Sequence, residues 1–576
     1  MKLKKIIFTV LSTAVFASCN KITDKFDNSL NNPNSVSPDL ANSRLLLANA
    51  ELAFASFFNG TSDIGMQVTR QVEMFGPKYS NAYSAQTFDG LWTTAYASIF
   101  KNINAMLPLA QKEQKWTDMG IAKTIKAYTL LTLVDFFGDV PLAEANLGAD
   151  NTNPKADKGS DVYAAAIKLL DEAIAHFNNT TNLSSSPGAS DLFFGTTGST
   201  GRGRWIALAN TLKMKAYLNT RLIDAATAKT KIDALLTGTY VNSLTGDFEF
   251  KYSNKQANPN SRHPRYNSNY NGDGSSSGEA SDYMGIYFMW TMLAEKTETP
   301  GARGRTSTAA GALDPRLRYY FYRQRTSLGS FDQTSLSCID QTPPIHYTFD
   351  MPFCYLNNGY TGRDHGDNSG TPPDGNLKTT VGIYPNGGEF DNNQKTRVAL
   401  NRGGLGAGIE PIWPSSFTSF LKAEAALKLG TAGSPRALLE EGVRRSITKV
   451  QAYPTSVGFI LPTTNPDILM NTPAKIDNYV IKVLTLYDAA LTDEARLEVI
   501  AKEWYIASWG NGVESYNMYR RTMHPANMQF ARTSSPGTFI YSMLYPSVYV
   551  NLNINAAQKA GVDKQVFWDN NPKTLR

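Results

Sequence analysis

Cysteine and histidine are scarce in this chain, three and five among 576 residues, and that scarcity removes whole classes of chemistry. A disulfide-dense scaffold and a clustered zinc module each need several thiols or imidazoles at ligand spacing. The five histidines, His176, His263, His346, His365 and His524, form no His-Glu-x-x-His pair, and no P-loop occurs. Neither charge dominates: 56 Lys and Arg stand against 50 Asp and Glu, so nothing points to nucleic acid or an anionic surface. Long apolar runs are also missing. After residue 17 no stretch approaches the roughly 20 apolar residues that a membrane-spanning helix needs.

What the chain does have begins at its N-terminus. Met1-Lys2-Leu3-Lys4-Lys5 precedes an apolar run of 12 residues from Ile6 to Ala17, then Ser18 and Cys19. A basic head, a short apolar middle and small residues before a lone early cysteine are the layout of a bacterial lipoprotein signal. The expectation is removal of residues 1–18 and acylation of Cys19, which places the mature protein outside the cytoplasm. Loss of Lys2, Lys4 and Lys5 lowers the formal charge from +6 to +3. Residues 19–44 are polar and rich in Asn and Pro, and read as a flexible tether. The remaining thiols, Cys338 and Cys354, have fifteen residues between them and no His or third Cys at zinc spacing, so they predict a disulfide.

The body, residues 45–576, reads as one intertwined, mainly α-helical domain. Apolar stripes at helical spacing run through Ile121, Ile125, Tyr128 and Leu131, with Gly138 as the stop. Similar stripes follow at Val162 to Phe177, after a cap at Ser160 or Asp161, and at Trp205 to Ala216. Further on, Phe417 to Leu427 ends at the turn Gly430 to Gly433, and Ser434-Pro435 opens a partner through Val450. Such antiparallel pairs resemble tetratricopeptide hairpins. The scaffold is expected over about 45–236 and 409–510. A loop-rich face, dense in Gly, Asn, Ser, Asp and Pro, is expected over about 237–408 and 511–576, with short helices at 279–296 and 314–323. Two glycine clusters, Gly198, Gly201 and Gly203, and Gly404, Gly406 and Gly408, read as loop punctuation.

Aromatic residues set among polar loops are the positive functional signal. Sugar rings lay flat C–H faces on aromatic side chains while their hydroxyls bond to Asn, Asp and Arg. Phe75, Tyr79 and Tyr83 between the early helices, and Tyr266 and Tyr270 in the Asn/Gly loop, are the ligand-binding candidates. Asp364, Asp367 and Asp374 offer oxygens to Ca²⁺, although Asp and Asn are equally the residues that turns demand. No catalytic set and no other cofactor is indicated. A glycoside hydrolase needs only two loop carboxylates, which leave no sequence trace, and a helical-repeat scaffold binding proteins is the third reading.

Several blocks are similar to the SusD/RagB family of outer-membrane lipoproteins, in its SusD-like group 2 branch. They are Ala127-Tyr128 through Asp135-Phe136-Phe137-Gly138-Asp139-Val140-Pro141-Leu142, then Asp314-Pro315-Arg316-Leu317, Gly362-Arg363-Asp364-His365-Gly366 and Gly382 to Gly388. Phe420 to Ala425 and Trp509-Gly510-Asn511-Gly512-Val513-Glu514-Ser515-Tyr516-Asn517 continue the series to Asn551-Leu552-Asn553. The resemblance implies tetratricopeptide-like pairs carrying a loop-rich half, no catalytic residues, and a lipid-anchored protein facing the cell exterior. It also implies a job: capturing an oligosaccharide or peptide nutrient for a SusC-like TonB-dependent transporter.

Overall fold

The computed structural model describes residues 42–184, 191–195, 198–273, 280–296, 313–325, 338, 341–348, 351–356, 359–368, 378–393, 396–461 and 465–576. Cys19, Asp374 and nearly all of the tether fall outside them. The fold is mainly helical, with twelve helices of eight residues or more among the described residues. In chain order they are α1 (Ser43–Val68), α2 (Lys101–Lys112), α3 (Trp116–Phe137), α4 (Gly159–Phe177), α5 (Gly198–Asn219), α6 (Ala225–Leu236) and α7 (Ile286–Leu293). After the loop-rich middle come α8 (Ser415–Leu429), α9 (Pro435–Ser456), α10 (Pro473–Ala489), α11 (Asp493–Ala507) and α12 (Gly512–Thr522). No described helix is long and apolar enough to cross a membrane.

Local chemistry sets these boundaries. Asn42, Ser434, Thr472, Thr492 and Asn511 each accept first-turn backbone N–H groups at the start of a helix. Gly430, left-handed at φ 67°, ends α8 where a side chain would be strained. The expected cap of α4 at Ser160 or Asp161 is displaced: the helix begins at Gly159, whose N–H donates to Asp139 Oδ1 at 2.8 Å. A carboxylate brought by the preceding turn does the capping, which local sequence could not reveal. Gly198, Gly201 and Gly203, expected as loop punctuation, lie in the first two turns of α5.

Helices α3 and α4 pack as one antiparallel pair and α8 and α9 as another, while α5 lies against α4. Among the described residues there are three two-stranded antiparallel ribbons, all involving the loop-rich middle: Phe248–Lys251 with Ile409–Trp413, Phe321–Tyr322 with Thr380–Val381, and Tyr355–Leu356 with Tyr360–Thr361. The expected helices at 279–296 and 314–323 shrink to Ile286–Leu293 and Leu317–Tyr320, because Met284, Phe321 and Tyr322 are drawn into strand pairing. Residues 512–522, assigned to the loop face by the sequence, form α12 packed on α1. Cys338 and Cys354 are joined by a disulfide.

The final segment laces the halves together. Met543 N–H donates to Phe136 O at 2.7 Å, and the Trp568 indole donates to Asp135 Oδ1 at 3.0 Å. Asn517 Nδ2 donates to the other oxygen of Asp135 at 2.7 Å. Thus the buried Asp135 ties α3 to α12 and to the last turn of chain. Elsewhere Glu424 accepts two hydrogen bonds from Arg521 and one from Arg221, all three side chains being buried.

Candidate functional site

Three segments far apart in sequence are woven into one face. Val72 and Met284 form an antiparallel bridge, Glu73 N–H donates to Tyr283 O at 2.9 Å, and Gly285 bridges Arg363 in parallel. The weave demands glycine: a Cβ on Gly285 would stand 2.0 Å from Arg70 O, and one on Gly362 would stand 2.1 Å from Met284 O. From this rigid base Phe75 projects outward, 55% exposed, its ring 5.7 Å from that of Tyr283 and nearly perpendicular to it. Among the described residues Phe75 is the only aromatic side chain in the exposed apolar set. Tyr283 in turn sits beneath two cations, with the Arg363 guanidinium 4.5 Å and the Lys378 ammonium 3.4 Å from its centroid.

A polar chain ends at Asp282, the residue before Tyr283. The Tyr83 hydroxyl donates to Gln67 Oε1 at 2.9 Å, Gln67 Nε2 donates to Asp63 Oδ2 at 2.8 Å, and Arg265 bridges Asp63 to Asp282, the latter at 2.9 Å. Asp63, Arg265 and Asp282 each keep some exposure. Amphipathic rings flanked by fixed donors and acceptors are what a polyhydroxylated ligand needs. Behind this face lie the acids Glu73, Asp364 and Asp367, exposed by only 5%, 1% and 3%. Burial, then the charges of Asp367 and Asp364, hold the Glu73 carboxyl well above its usual range, and burial pushes Asp364 up to about 7. Burial at this depth withholds all three from a ligand on the surface.

Two comparisons bear on identity. Residues 33–285 match a family described as starch-binding, associating with outer membrane, and residues 410–560 match one described as SusD and RagB outer membrane lipoprotein. The chain belongs to the SusD/RagB family. Solved relatives share its fold at low identity. A SusD homologue from Bacteroides fragilis is 17% identical, with 92% of this chain and 99% of that one covered at a TM-score of 0.62. A chitin-binding SusD homologue from Flavobacterium johnsoniae is 17% identical over 91% and 99%, at 0.56. A SusD/RagB family protein from Bacteroides thetaiotaomicron is 18% identical over 92% and 100%, at 0.61. Among curated proteins none matches the sequence.

Within this SusD/RagB fold the sequence candidates separate sharply. Phe75 is exposed, and Tyr83 is half-buried with its hydroxyl held by Gln67. Tyr79 is neither: it is 1% exposed, its oxygen accepts from Arg70 at 2.8 Å and lies 3.1 Å from His365 Nε2. Tyr266 and Tyr270 are fully buried, stacked at 4.6 Å, with hydroxyls donating to the carbonyls of Leu400, Arg402 and Val381. These three are core fasteners, because a loop-rich half must satisfy its backbone carbonyls internally. The Ca²⁺ candidates are likewise absorbed. Asp364 accepts from Cys354 N and Gln529 Nε2 at 2.9 and 2.7 Å, and Asp367 pairs with Arg532 at 2.5 Å. Among the described residues no group of three or more His, Cys, Asp or Glu is placed to hold a metal. Sequence reasoning missed Tyr283 and Lys378, for only the cross-chain weave brings Tyr283 to Phe75 and Lys378 to Tyr283, and it missed Arg265, whose partners Asp63 and Asp282 lie on different segments.

Proposed function

We propose that this protein binds a glycan on the Phe75 face, as a surface lipoprotein anchored through Cys19, and passes it unchanged to a SusC-like TonB-dependent transporter in the outer membrane. The observation that carries the reading is the exposed ring of Phe75, the only aromatic one in the exposed apolar set of the described residues, held against Tyr283. Family membership supports the outer-membrane setting, and the names of two similar structures, both called chitin-binding, make N-acetylglucosamine oligomers a first ligand to try. The ring offers C–H stacking, and Asp63, Asp282 and Arg265 offer hydroxyl partners.

Calorimetry with chitooligosaccharides and maltooligosaccharides is the test. Binding without product release is expected, and Phe75→Ala should weaken it about tenfold, the loss of roughly 1–1.5 kcal/mol that one ring contact represents. Melting temperature should stay unchanged, since the ring is mostly solvated. Equal affinity in the variant, or shorter sugars in the cell, would contradict the proposal. Cys19→Ala should release the protein from membranes and from a co-purifying β-barrel.

A further inference from the structure

A cleft of about 500 Å³ opens between the end of α4 and the start of α5, away from the residues of the ring face. Phe177 and Ile206 are among its apolar lining, and Asn179, Asn182 and Arg202 among its polar lining. Volumes of this order suit small ligands. The donors and acceptors here are unbalanced. Asn182 Oδ1 accepts from Thr117 N at 2.9 Å and from Ser184 N at 3.3 Å. Asn179 Oδ1 accepts from Thr181 N and from its hydroxyl, each at 2.8 Å. With both carboxamide oxygens occupied, the amides have only N–H groups to present.

Arg202 has the same polarity. It is partly buried and makes no hydrogen bond or ion pair with any described residue, and no carboxylate is among the described residues that line the cleft. More buried arginines of this molecule are paired, Arg221 and Arg521 with Glu424 and Arg316 with Asp314. A partly buried guanidinium with no carboxylate beside it among the described residues is open to a charge-assisted bond with an anion.

From this we infer that the cleft is a second binding site, taking a carboxylate or sulfate substituent carried on a sugar ring. Arg202 meets the anionic group, the amides of Asn179 and Asn182 donate to its oxygens or to ring hydroxyls, and Ile206 faces the ring's C–H edge. That a sugar carries the anion rests on the proposed glycan-binding function; the anion site rests on the cleft alone.

Calorimetry on the full mature chain with trigalacturonate, maltotriose and sodium sulfate separates the alternatives. Trigalacturonate is expected to bind, more weakly as salt rises, and Arg202→Ala and Asn179→Asp are each expected to reduce its affinity about tenfold or more. Absence of trigalacturonate binding, wild-type affinity in both cleft variants, or equal affinity for maltotriose would overturn the inference. Sulfate binding as tightly as trigalacturonate would do the same, reducing the cleft to an adventitious ion only. Were neutral glycans to fail everywhere while trigalacturonate binds through Arg202, the Phe75 proposal would fall and this site would stand.

Discussion

At the scale of single residues, much of what the family blocks contain is buried electrostatics. Glu424 lies between Arg521 and Arg221 at 2.8 and 3.0 Å, and the charges and hydrogen bonds of Arg521 outweigh burial to hold its carboxyl below the usual range. Replacing it by Ala leaves two guanidiniums buried without a counter-ion. We expect Glu424→Ala to lose about 3–5 kcal/mol in urea unfolding, whereas replacement of a surface partner such as Asp488, paired with Arg436 in solvent, should lose under about 1 kcal/mol. Comparable losses at both positions would show that burial does not govern these pairs. Residue type alone could not rank the tyrosines. Tyr83 and Tyr270 sit in similar polar stretches, yet one reaches solvent and the other hydrogen-bonds a carbonyl of a strand 111 residues away.

At the scale of elements, α1 and α12 meet through glycines. A Cβ on Gly65 would stand 2.1 Å from Gly512 O, and one on Gly512 would stand 2.0 Å from Ser62 O, so the two backbones touch. Gly65→Ala must push the helices apart and should cost on the order of 2–3 kcal/mol, although alanine favours a helix in isolation. A melting temperature at or above wild type would refute the contact. The long helices were legible because α4 and α9 carry apolar stripes bounded by Gly, Ser or Pro. Helix α12 was not, for all eleven residues of Gly512–Thr522 are buried although they include Asn517, Arg520 and Arg521, and polar residues that are buried through distant partners read locally as a solvated loop. The Phe75 face was half legible: its exposed loop announced itself by composition, while the Tyr283 strand joins it through bridges that no local pattern encodes.

At the scale of the whole molecule, buried acids set the response to pH. Burial raises Glu51 to about 8, Glu410 to about 8 and Asp364 to about 7. Their folded-state values exceed the unfolded ones near 4, so the stability they contribute is complete below about pH 4 and is lost as pH climbs through 7–8. Asp314 and Glu498 are lowered by arginine, lysine and histidine partners, and their contribution is lost as pH falls below the ordinary carboxylate range. Stability should therefore peak near about pH 5, and Glu51→Gln should stabilise by on the order of 1 kcal/mol at pH 8 and hardly at all at pH 4. Thermal melts across pH 3–9 decide this, a maximum at pH 8 being the contrary result. The lacing of Asp135 by Trp568, 433 positions later, has a further consequence for how the chain comes into being. A polypeptide that emerges N-terminus first leaves this junction open until Trp568 has been made. The centre of the fold is thus sealed by a segment synthesised 433 positions after the carboxylate it meets.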